Sequence, residues 1–99
     1  MTYQDVFSAL GDSTRRQVFE ALADRPRAVG DLAASLPVSR PAVSQHLKVL
    51  SDAGLVVCRS EGTRRIYAAR PEGLIEMRAW VERYWSNILE SFAVEVAEG

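Results

Sequence analysis

The sequence has little of what several classes of protein need. Its 99 residues include one cysteine, Cys58, which cannot form an internal disulfide and therefore fits a reducing cytoplasm. No apolar run approaches the roughly 18 residues of a membrane-spanning helix. The N-terminal residues MTYQDVF lack the basic and apolar segments of a secretory signal. We therefore expect a cytoplasmic protein without a membrane partner, folded as one domain over residues 1–99.

Catalytic and metal-binding constellations are missing as well. The sequence contains no phosphate-binding glycine loop, no paired catalytic carboxylates and no nucleophile with a converging histidine, so we expect no enzymatic activity. Zinc or arsenite needs three or four ligands in a tight cluster, whereas His46 and Cys58 are the only soft ligands. We therefore expect neither a metal nor a cofactor.

What is present is an uneven distribution of charge. The net charge is −1, but residues 13–70 contain ten Lys and Arg side chains against five Asp and Glu side chains, a balance of +5. Residues 71–99 contain two basic side chains against six acidic ones, a balance of −4. A basic middle next to an acidic end is typical of a protein with one surface for nucleic acid and another for solvent.

The segment from Val38 to Gly54 predicts a single helix. Ser39 is the expected N-cap, because its hydroxyl can accept a hydrogen bond from a backbone N–H of the first turn. Pro41 falls in that first turn, where a missing N–H costs nothing. Gly54 is the expected end, because glycine adopts a left-handed conformation without strain from a Cβ atom.

This helix has an apolar face and a polar face. The inward face follows the helical period and consists of Val43, Leu47 and Leu50. The outward face consists of Pro41, Ser44, Gln45 and Lys48. Glutamine and lysine can pair with base edges in the major groove of DNA, and serine and lysine with phosphates. An ordinary amphipathic helix with a solvated face is the alternative interpretation.

Three shorter helices precede this segment. They are expected from Tyr3 to Leu10, from Asp12 or Ser13 to about Ala23, and from about Val29 to Ser35. The third of them is joined to the segment Val38–Gly54 by only a few residues, which predicts a helix-turn-helix.

Two cations, Arg15 and Arg16, lie in the first turn of the second helix. Cations at this end oppose the helix dipole, so they need a partner. That partner is either a phosphate or an acidic neighbour such as Asp12 or Glu20.

A β-hairpin is predicted after Gly54. The segments Leu55–Ser60 and Arg64–Ala69 are rich in Val, Ile and Tyr, and they flank a glycine-containing turn at residues 61–63. Three arginines surround this turn: Arg59, Arg64 and Arg65. A hairpin with a basic tip directly after a recognition helix is typical of the wing of a winged helix-turn-helix. The alternative is a solvated hairpin whose charges only prevent edge pairing.

A long helix is predicted over residues 71–97, and it has more apolar surface than the core of a small domain can cover from one side. The expected cover is the same helix of a second subunit, together with the first helix. The predicted dimer interface consists of Tyr3, Val6, Phe7, Leu10, Met77, Val81, Tyr84, Trp85, Ile88, Leu89 and Phe92, and Val96 continues the row. Alternatively, Trp80, Tyr84 and Trp85 line an inducer pocket between subunits.

Together these elements predict a mainly α fold with a small β-hairpin. The expected architecture is a homodimeric winged helix-turn-helix with about five helices and a two-stranded wing between the fourth helix and the fifth.

With these elements assigned, the chain resembles the ArsR family of bacterial winged-helix repressors. The matching stretches are LGDSTRRQVFEAL (residues 10–22), VGDLAASLPVSRPAVSQHLKVLSDAGLV (residues 29–56) and GTRRIYA (residues 62–68). The tail RAWVERYWSNILESF (residues 78–92) is similar to the metal-independent, SdpR-like branch. The resemblance implies a homodimer that binds an inverted-repeat operator in double-stranded DNA, blocks transcription, and is released by an inducing signal.

The chain departs from the metal-sensing members of that family. Their third helix carries a Cys-x-Cys type pair, whereas the corresponding stretch here, VGDLAAS, has neither cysteine nor histidine. Other members bind metal through histidine and acidic residues of the last helix, and this last helix has no histidine. The inducing signal, if one exists, is therefore an unknown small molecule or another stimulus.

We expect DNA contacts from the second helix, the recognition helix and the wing. Gln45, Ser44 and Arg40 are the candidates for base contact. Lys48 and residues 14–16 are candidates for the phosphate backbone, and the wing arginines for the adjacent minor groove or its phosphates. The complete candidate set is Thr14, Arg15, Arg16, Ser39, Arg40, Pro41, Ser44, Gln45, His46, Lys48, Arg59, Thr63, Arg64 and Arg65.

Two single residues allow more than one interpretation. For His46, beside the apolar stripe, we favour a structural or phosphate-binding role over base reading. Cys58 shares a strand face with Val56, which indicates a small apolar filler. A thiol switch is the alternative, since Arg59 next to it could lower the pKa of the thiol.

The predicted function is that of a dimeric, sequence-specific transcriptional regulator, most simply a repressor. A winged-helix module that binds only protein, and a thiol-responsive regulator acting through Cys58, are the alternatives. A protein-only module would have no reason to concentrate positive charge in the middle of the chain.

Overall fold

A computed structural model describes residues 3–98, and side chains as far as residue 93. The α-helices are α1 (Tyr3–Gly11), α2 (Ser13–Asp24), α3 (Val29–Ser35), α4 (Arg40–Asp52) and α5 (Ile75–Glu98). The strands are β1 (Arg27–Ala28), β2 (Val56–Glu61) and β3 (Arg64–Ala69), and a 3-10 helix spans Pro71–Leu74. Residues 1, 2 and 99 of the predicted domain and the side chain of Val96 lie outside the described residues.

Helix α4 begins and ends at the predicted residues. The Ala42 N–H donates a hydrogen bond of 3.3 Å to the Ser39 hydroxyl oxygen, so Ser39 is the N-cap. At the other end, Gly54 has a φ of 77°, in the left-handed region. The N–H groups of Gly54 and Leu55 donate to the carbonyls of Ser51 (3.0 Å) and Leu50 (2.9 Å). This is a Schellman motif, which satisfies carbonyls that would otherwise be unpaired at the helix end.

Asp12, one of the two predicted caps, begins α2. Its Oδ1 accepts a hydrogen bond of 2.8 Å from the Arg15 backbone N–H. This bond lowers the pKa of the Asp12 carboxyl from its ordinary value, because it favours the charged form. A negative charge at this position also complements the positive end of the α2 dipole.

The hydrophobic core lies between α1–α4 and the base of the hairpin. Val43, Leu47 and Leu50 of α4 are at most 1% exposed, which confirms the predicted inward face. They pack with Val18 and Leu22 of α2. The other buried apolar residues are Val6, Ala9, Leu32, Ala53, Leu55, Val56 and Ile66. The helix-turn-helix of α3 and α4 therefore packs against buried residues of α1, α2 and β2.

The sheet has three strands where the sequence predicts two. Strands β2 and β3 form the expected antiparallel hairpin, from Val56 opposite Ala69 to Glu61 opposite Arg64. The turn is tighter than predicted, because Glu61 belongs to β2 and Gly62, with a φ of 62°, begins a two-residue connection. Strand β1 adds to the other edge of β3 through residues 27 and 28. Two residues between Pro26 and α3 are too few to produce a recognisable period.

The predicted long helix consists of two parts. Residues 71–74 form the 3-10 helix, and α5 starts at Ile75. The 3-10 helix packs directly on the residues that end α4. The packing is so close that a Cβ atom at Gly73 would collide with the backbone carbonyl group of Gly54. This contact joins α5 to the helix-turn-helix.

Gly73→Ala should therefore lower the free energy of unfolding by about 1–3 kcal/mol, the usual cost of overpacking. Urea denaturation measures the change. Gly11→Ala is the matched control, because a Cβ atom at Gly11 meets nothing within 4 Å, and we expect a change within about 0.5 kcal/mol. Equal stability of the two variants would contradict the close packing of Gly73 on Gly54.

Helix α5 projects from the rest of the subunit. The radius of gyration is 17.5 Å and the longest dimension 64 Å, whereas a compact domain of this length has a radius of gyration of about 13 Å. An aromatic cluster anchors the base of α5: the Trp80 ring lies 5.2 Å from that of Phe7 and 4.8 Å from that of Tyr84. From Val81 to Ala93 every side chain is exposed. Among the described helices, none is long and apolar enough to cross a membrane.

Candidate nucleic-acid interface

The outward face of α4 is exposed, and its polar side chains have no partners in the described part of the chain. Arg40, Pro41, Ser44, Gln45 and Lys48 are all exposed, on the side opposite the buried stripe. Within the described part of the chain, no side chain hydrogen-bonds or pairs with the polar groups of Arg40, Ser44, Gln45 or Lys48. These donors and acceptors are therefore available to a ligand.

Arg40 crosses over α3 at a glycine. A Cβ atom at Gly30 would collide with the guanidinium group of Arg40. The absence of a side chain at position 30 thus lets Arg40 lie against the backbone of α3. The sequence offers no local signal for this contact, because the two residues lie on different helices.

The wing and the start of α4 meet in one cleft. This cleft has a volume of about 500 Å³, and its lining includes Arg40, Arg64, Arg65 and Asp31. Arg64 donates a hydrogen bond of 3.0 Å to Asp31 Oδ2 of α3, with both side chains 60% exposed. The wing is thus tied to the helix-turn-helix by an ion pair that solvent screens strongly.

Only part of the positive charge at the wing is unpaired. Arg59 pairs with Glu61 on the same strand at 3.2 Å. Arg64 is held by Asp31, whereas Arg65 has no ion-pair partner among the described residues. Thr63 is exposed in the turn. The basic tip predicted from the sequence therefore consists of two paired arginines and a free one.

Arg15 and Arg16 have a structural role that the sequence interpretation missed. Arg15 Nε donates a hydrogen bond of 2.6 Å to the Ala9 carbonyl, and an Arg16 guanidinium nitrogen donates one of 3.0 Å to the Leu10 carbonyl. Both side chains therefore cap the C-terminus of α1, where unpaired carbonyls attract cations. Neither an acidic neighbour nor a phosphate is needed to explain them. Thr14, next to them, is half-buried.

His46 lies at the edge of the core. It is half-buried, and it contributes, after the Arg15 N–H, to the lowered pKa of Asp12. His46 is thus less exposed than Ser44, Gln45 and Lys48, the neighbouring outward residues of α4. The position agrees with the structural interpretation of His46. Ser39 likewise serves the fold through its N-cap bond, and the hydroxyl proton is left for another acceptor.

The prediction that Cys58 is an apolar filler is wrong. Cys58 is exposed, as is every residue of β2 after Val56. Its cross-strand partner is Tyr67. Partial burial, followed by the nearby Cys58 thiol, raises the pKa of the Tyr67 hydroxyl.

The predicted dimer residues fall into three groups by exposure: buried, half-buried and exposed. Val6 is 2% exposed and belongs to the core of its own subunit, so its prediction as an interface residue is wrong. Tyr3, Leu10 and Met77 are half-buried. The exposed members are Phe7, Val81, Tyr84, Trp85, Ile88, Leu89 and Phe92. Trp80 packs within its subunit, against α1.

Ligands for a metal ion do not cluster in the described part of the chain. No group of three His, Cys, Asp or Glu side chains there could hold a metal ion.

Comparison with known proteins gives one consistent result. The family model described as "Bacterial regulatory protein, arsR family" matches residues 12–57, from the cap of α2 into β2. The chain is 54% identical over 87 residues to the HTH-type transcriptional regulator Rv2034 of Mycobacterium tuberculosis, covering 88% of this chain and 81% of the relative.

Two solved structures share the fold. An ArsR-like transcriptional regulator from Rhodococcus sp. RHA1 matches with a TM-score of 0.81 at 32% identity, covering 93% of this chain and 87% of the other. Mb0332 from Mycobacterium bovis, a homodimeric winged helix-turn-helix DNA-binding domain, matches with a TM-score of 0.68 at 32% identity, covering 89% and 82%. The chain therefore belongs to the arsR family of bacterial regulatory proteins, which are helix-turn-helix transcriptional regulators and not enzymes.

Proposed function

We propose that the protein is a cytoplasmic homodimeric repressor that binds an inverted-repeat operator. The observation that carries this proposal is the exposed, unpaired polar face of α4, which lies beside the arginines of the wing. Gln45, Ser44 and Arg40 would contact base edges in the major groove, and Lys48 the phosphates. A two-fold dimer places its half-sites about one helical turn apart, or a multiple of it.

Dimerisation is supported by the exposed apolar face of α5 and by the homodimeric state of the similar domain from Mycobacterium bovis. We propose that the protein belongs to the metal-independent, SdpR-like branch of the family, a proposal supported by the absence of cysteine and histidine from the sequence of α3. Its inducer would then be a small molecule or another signal that does not require a metal.

The experiment that tests the function is a salt titration of binding between the purified protein and DNA from around its own promoter. We expect tight binding that survives competitor DNA and weakens steeply with salt, as phosphate contacts require. Equally weak binding to every sequence would contradict operator recognition. No binding at low salt would instead favour the protein-interaction module.

Replacing Arg64 and Arg65 together with alanine should reduce the slope of log affinity against log salt by about two, because two phosphate contacts are lost. Replacing Arg78 and Arg83 of α5 removes the same charge far from the wing and should leave the slope unchanged. The same titration measures both variants. An unchanged slope in the first variant would remove the wing from the phosphate contacts.

Asp31→Asn should tighten operator binding about two- to fivefold, which corresponds to the strength of one exposed ion pair. The carboxylate holds Arg64 at 3.0 Å in the free protein and competes with a phosphate for it. Asp24→Asn is the matched control, since Asp24 pairs with Arg27 at 3.2 Å and the net charge changes equally. Weaker binding by Asp31→Asn would mean that the pair orders the wing for DNA instead.

A further inference from the structure

A second cleft lies between α2, the end of β3 and the 3-10 helix, and it shares no lining residue with the cleft between the wing and α4. It has a volume of about 400 Å³ and is walled by Phe19 and Leu22 of α2, Ala68 and Ala69 of β3, and Leu74 of the 3-10 helix. Small-molecule sites in proteins have volumes of about 300–1,000 Å³ and mostly apolar walls. The size and chemistry of this cleft therefore suit the apolar body of a small ligand.

The rim of the cleft carries an available cation. Arg25 is exposed, and among the described residues it has no hydrogen-bond or ion-pair partner for its side chain. The neighbouring carboxylate, Asp24, also reaches the rim but is paired with Arg27 at 3.2 Å. A guanidinium group without a partner, at the mouth of an apolar cleft, is complementary to a ligand with one anionic end.

A polar cleft adjoins the apolar one and shares Arg25 with it. Arg27 and Ser35 line this polar cleft, together with Asp31, whose carboxylate is bound by Arg64. The side chain of Arg27 is only 14% exposed, and its Nε is buried without a hydrogen-bond partner in the described structure. An anionic group beside Arg25 would thus lie near a second guanidinium that lacks a full set of partners.

We propose that the apolar cleft binds a small molecule with an apolar body and a single carboxylate, and that Arg25 binds the carboxylate. The ligand would act as the inducer, a role that rests on the repressor function proposed above. Its body would replace solvent against the half-buried Phe19, Ala68 and Leu74, where burial of apolar surface supplies the affinity. Its carboxylate would distinguish it from neutral molecules of the same shape.

The position of the cleft suggests how ligand binding would alter DNA binding. Leu74 belongs to the 3-10 helix, and Gly73 next to it packs on Gly54 at the end of α4. A ligand that displaces Leu74 would change the angle between α5 and α4. In a dimer joined through α5, that angle sets the separation of the two recognition helices. A ligand that prefers one separation shifts the population towards it.

Octanoate and its neutral isostere octanamide test the site, by NMR titration of the full-length protein without DNA. We expect saturable octanoate binding that shifts the amide resonances of Ala68 and Ala69, and about tenfold weaker binding of octanamide. Arg25→Gln should weaken octanoate binding to the level of octanamide and leave octanamide unchanged. Arg78→Gln, an exposed arginine of α5, should bind as the wild type does.

A second variant tests the apolar part of the site without changing a charged residue. Ala23 is exposed and lines the cleft, so Ala23→Phe should block both probes without disturbing the core. The site is overturned if octanoate does not saturate, if it binds no better than octanamide, or if the shifts fall on α5. Octanoate that binds here without lowering operator affinity would overturn the inducer role alone. Because the titration contains no DNA, it tests ligand binding to the cleft even if the protein binds no operator.

Discussion

Replacing Ile88 with glutamate is expected to make the protein a monomer and to weaken operator binding by a factor on the order of 100 to 10,000, the usual gain from joining two binding units. Ile88 is 62% exposed in the single subunit. Trp85 and Phe92 on the same face are 60% and 64% exposed. A contiguous apolar face of this size is unusual on a monomer and typical of an interface.

The geometry of α5 supports the proposed dimer. The helix packs on α1 and the 3-10 helix at its base, and the side chains from Val81 to Ala93 are all exposed to solvent. Helices without tertiary packing are marginal in water, so the outer half of α5 needs a second surface. A groove of about 380 Å³ between Tyr84 and Phe92 offers space for side chains of a partner helix. A carboxylate at position 88 would be buried there without a counter-ion, which is strongly unfavourable.

The control for this prediction is Ser86→Glu. Ser86 is exposed on the polar side of α5, so the same charge is added to the same turn of the helix without entering the interface. Sedimentation equilibrium should give a dimer for the control and a monomer for Ile88→Glu. A dimeric Ile88→Glu protein would place the interface elsewhere.

The local features of α4 could be predicted from the sequence because each depends on neighbouring residues alone. The Ser39 cap bonds within one turn, and Gly54 ends the helix through its own backbone conformation. The buried stripe follows from the helical period, which needs no knowledge of the partner surface. The hairpin could be predicted for the same reason, from its strand-forming Val, Ile and Tyr residues and its glycine turn.

The features that the sequence did not predict all depend on contacts between distant elements. For Arg15 the sequence left a phosphate and an acidic neighbour as possible partners, because nothing in its own helix shows that the end of α1 lies next to it. The pairing of Arg64 with Asp31 joins residues 33 positions apart. Val6 and Cys58 were misplaced because periodicity finds the faces of a helix or strand but not which face another element covers.

Gln45→Ala is expected to cost about 1–3 kcal/mol of binding free energy on the operator and almost nothing on random DNA. Gln45 is exposed in the middle of α4, and no described side chain bonds to it. Its truncation therefore removes no contact of the folded protein. An amide that binds a base edge contributes only where the correct base is present, so the loss should be confined to the operator.

The matched control is Gln4→Ala, which makes the same truncation at an exposed position of α1. Anisotropy titrations of both variants on operator and random duplexes separate the two ways in which Gln45 can contribute. A loss on the operator alone identifies a base contact, because phosphates are common to both duplexes. An equal loss on both duplexes would mean that Gln45 contacts the phosphate backbone of the DNA. Recognition of the base sequence would then depend on Ser44 and Arg40, the other exposed polar residues at the start of α4.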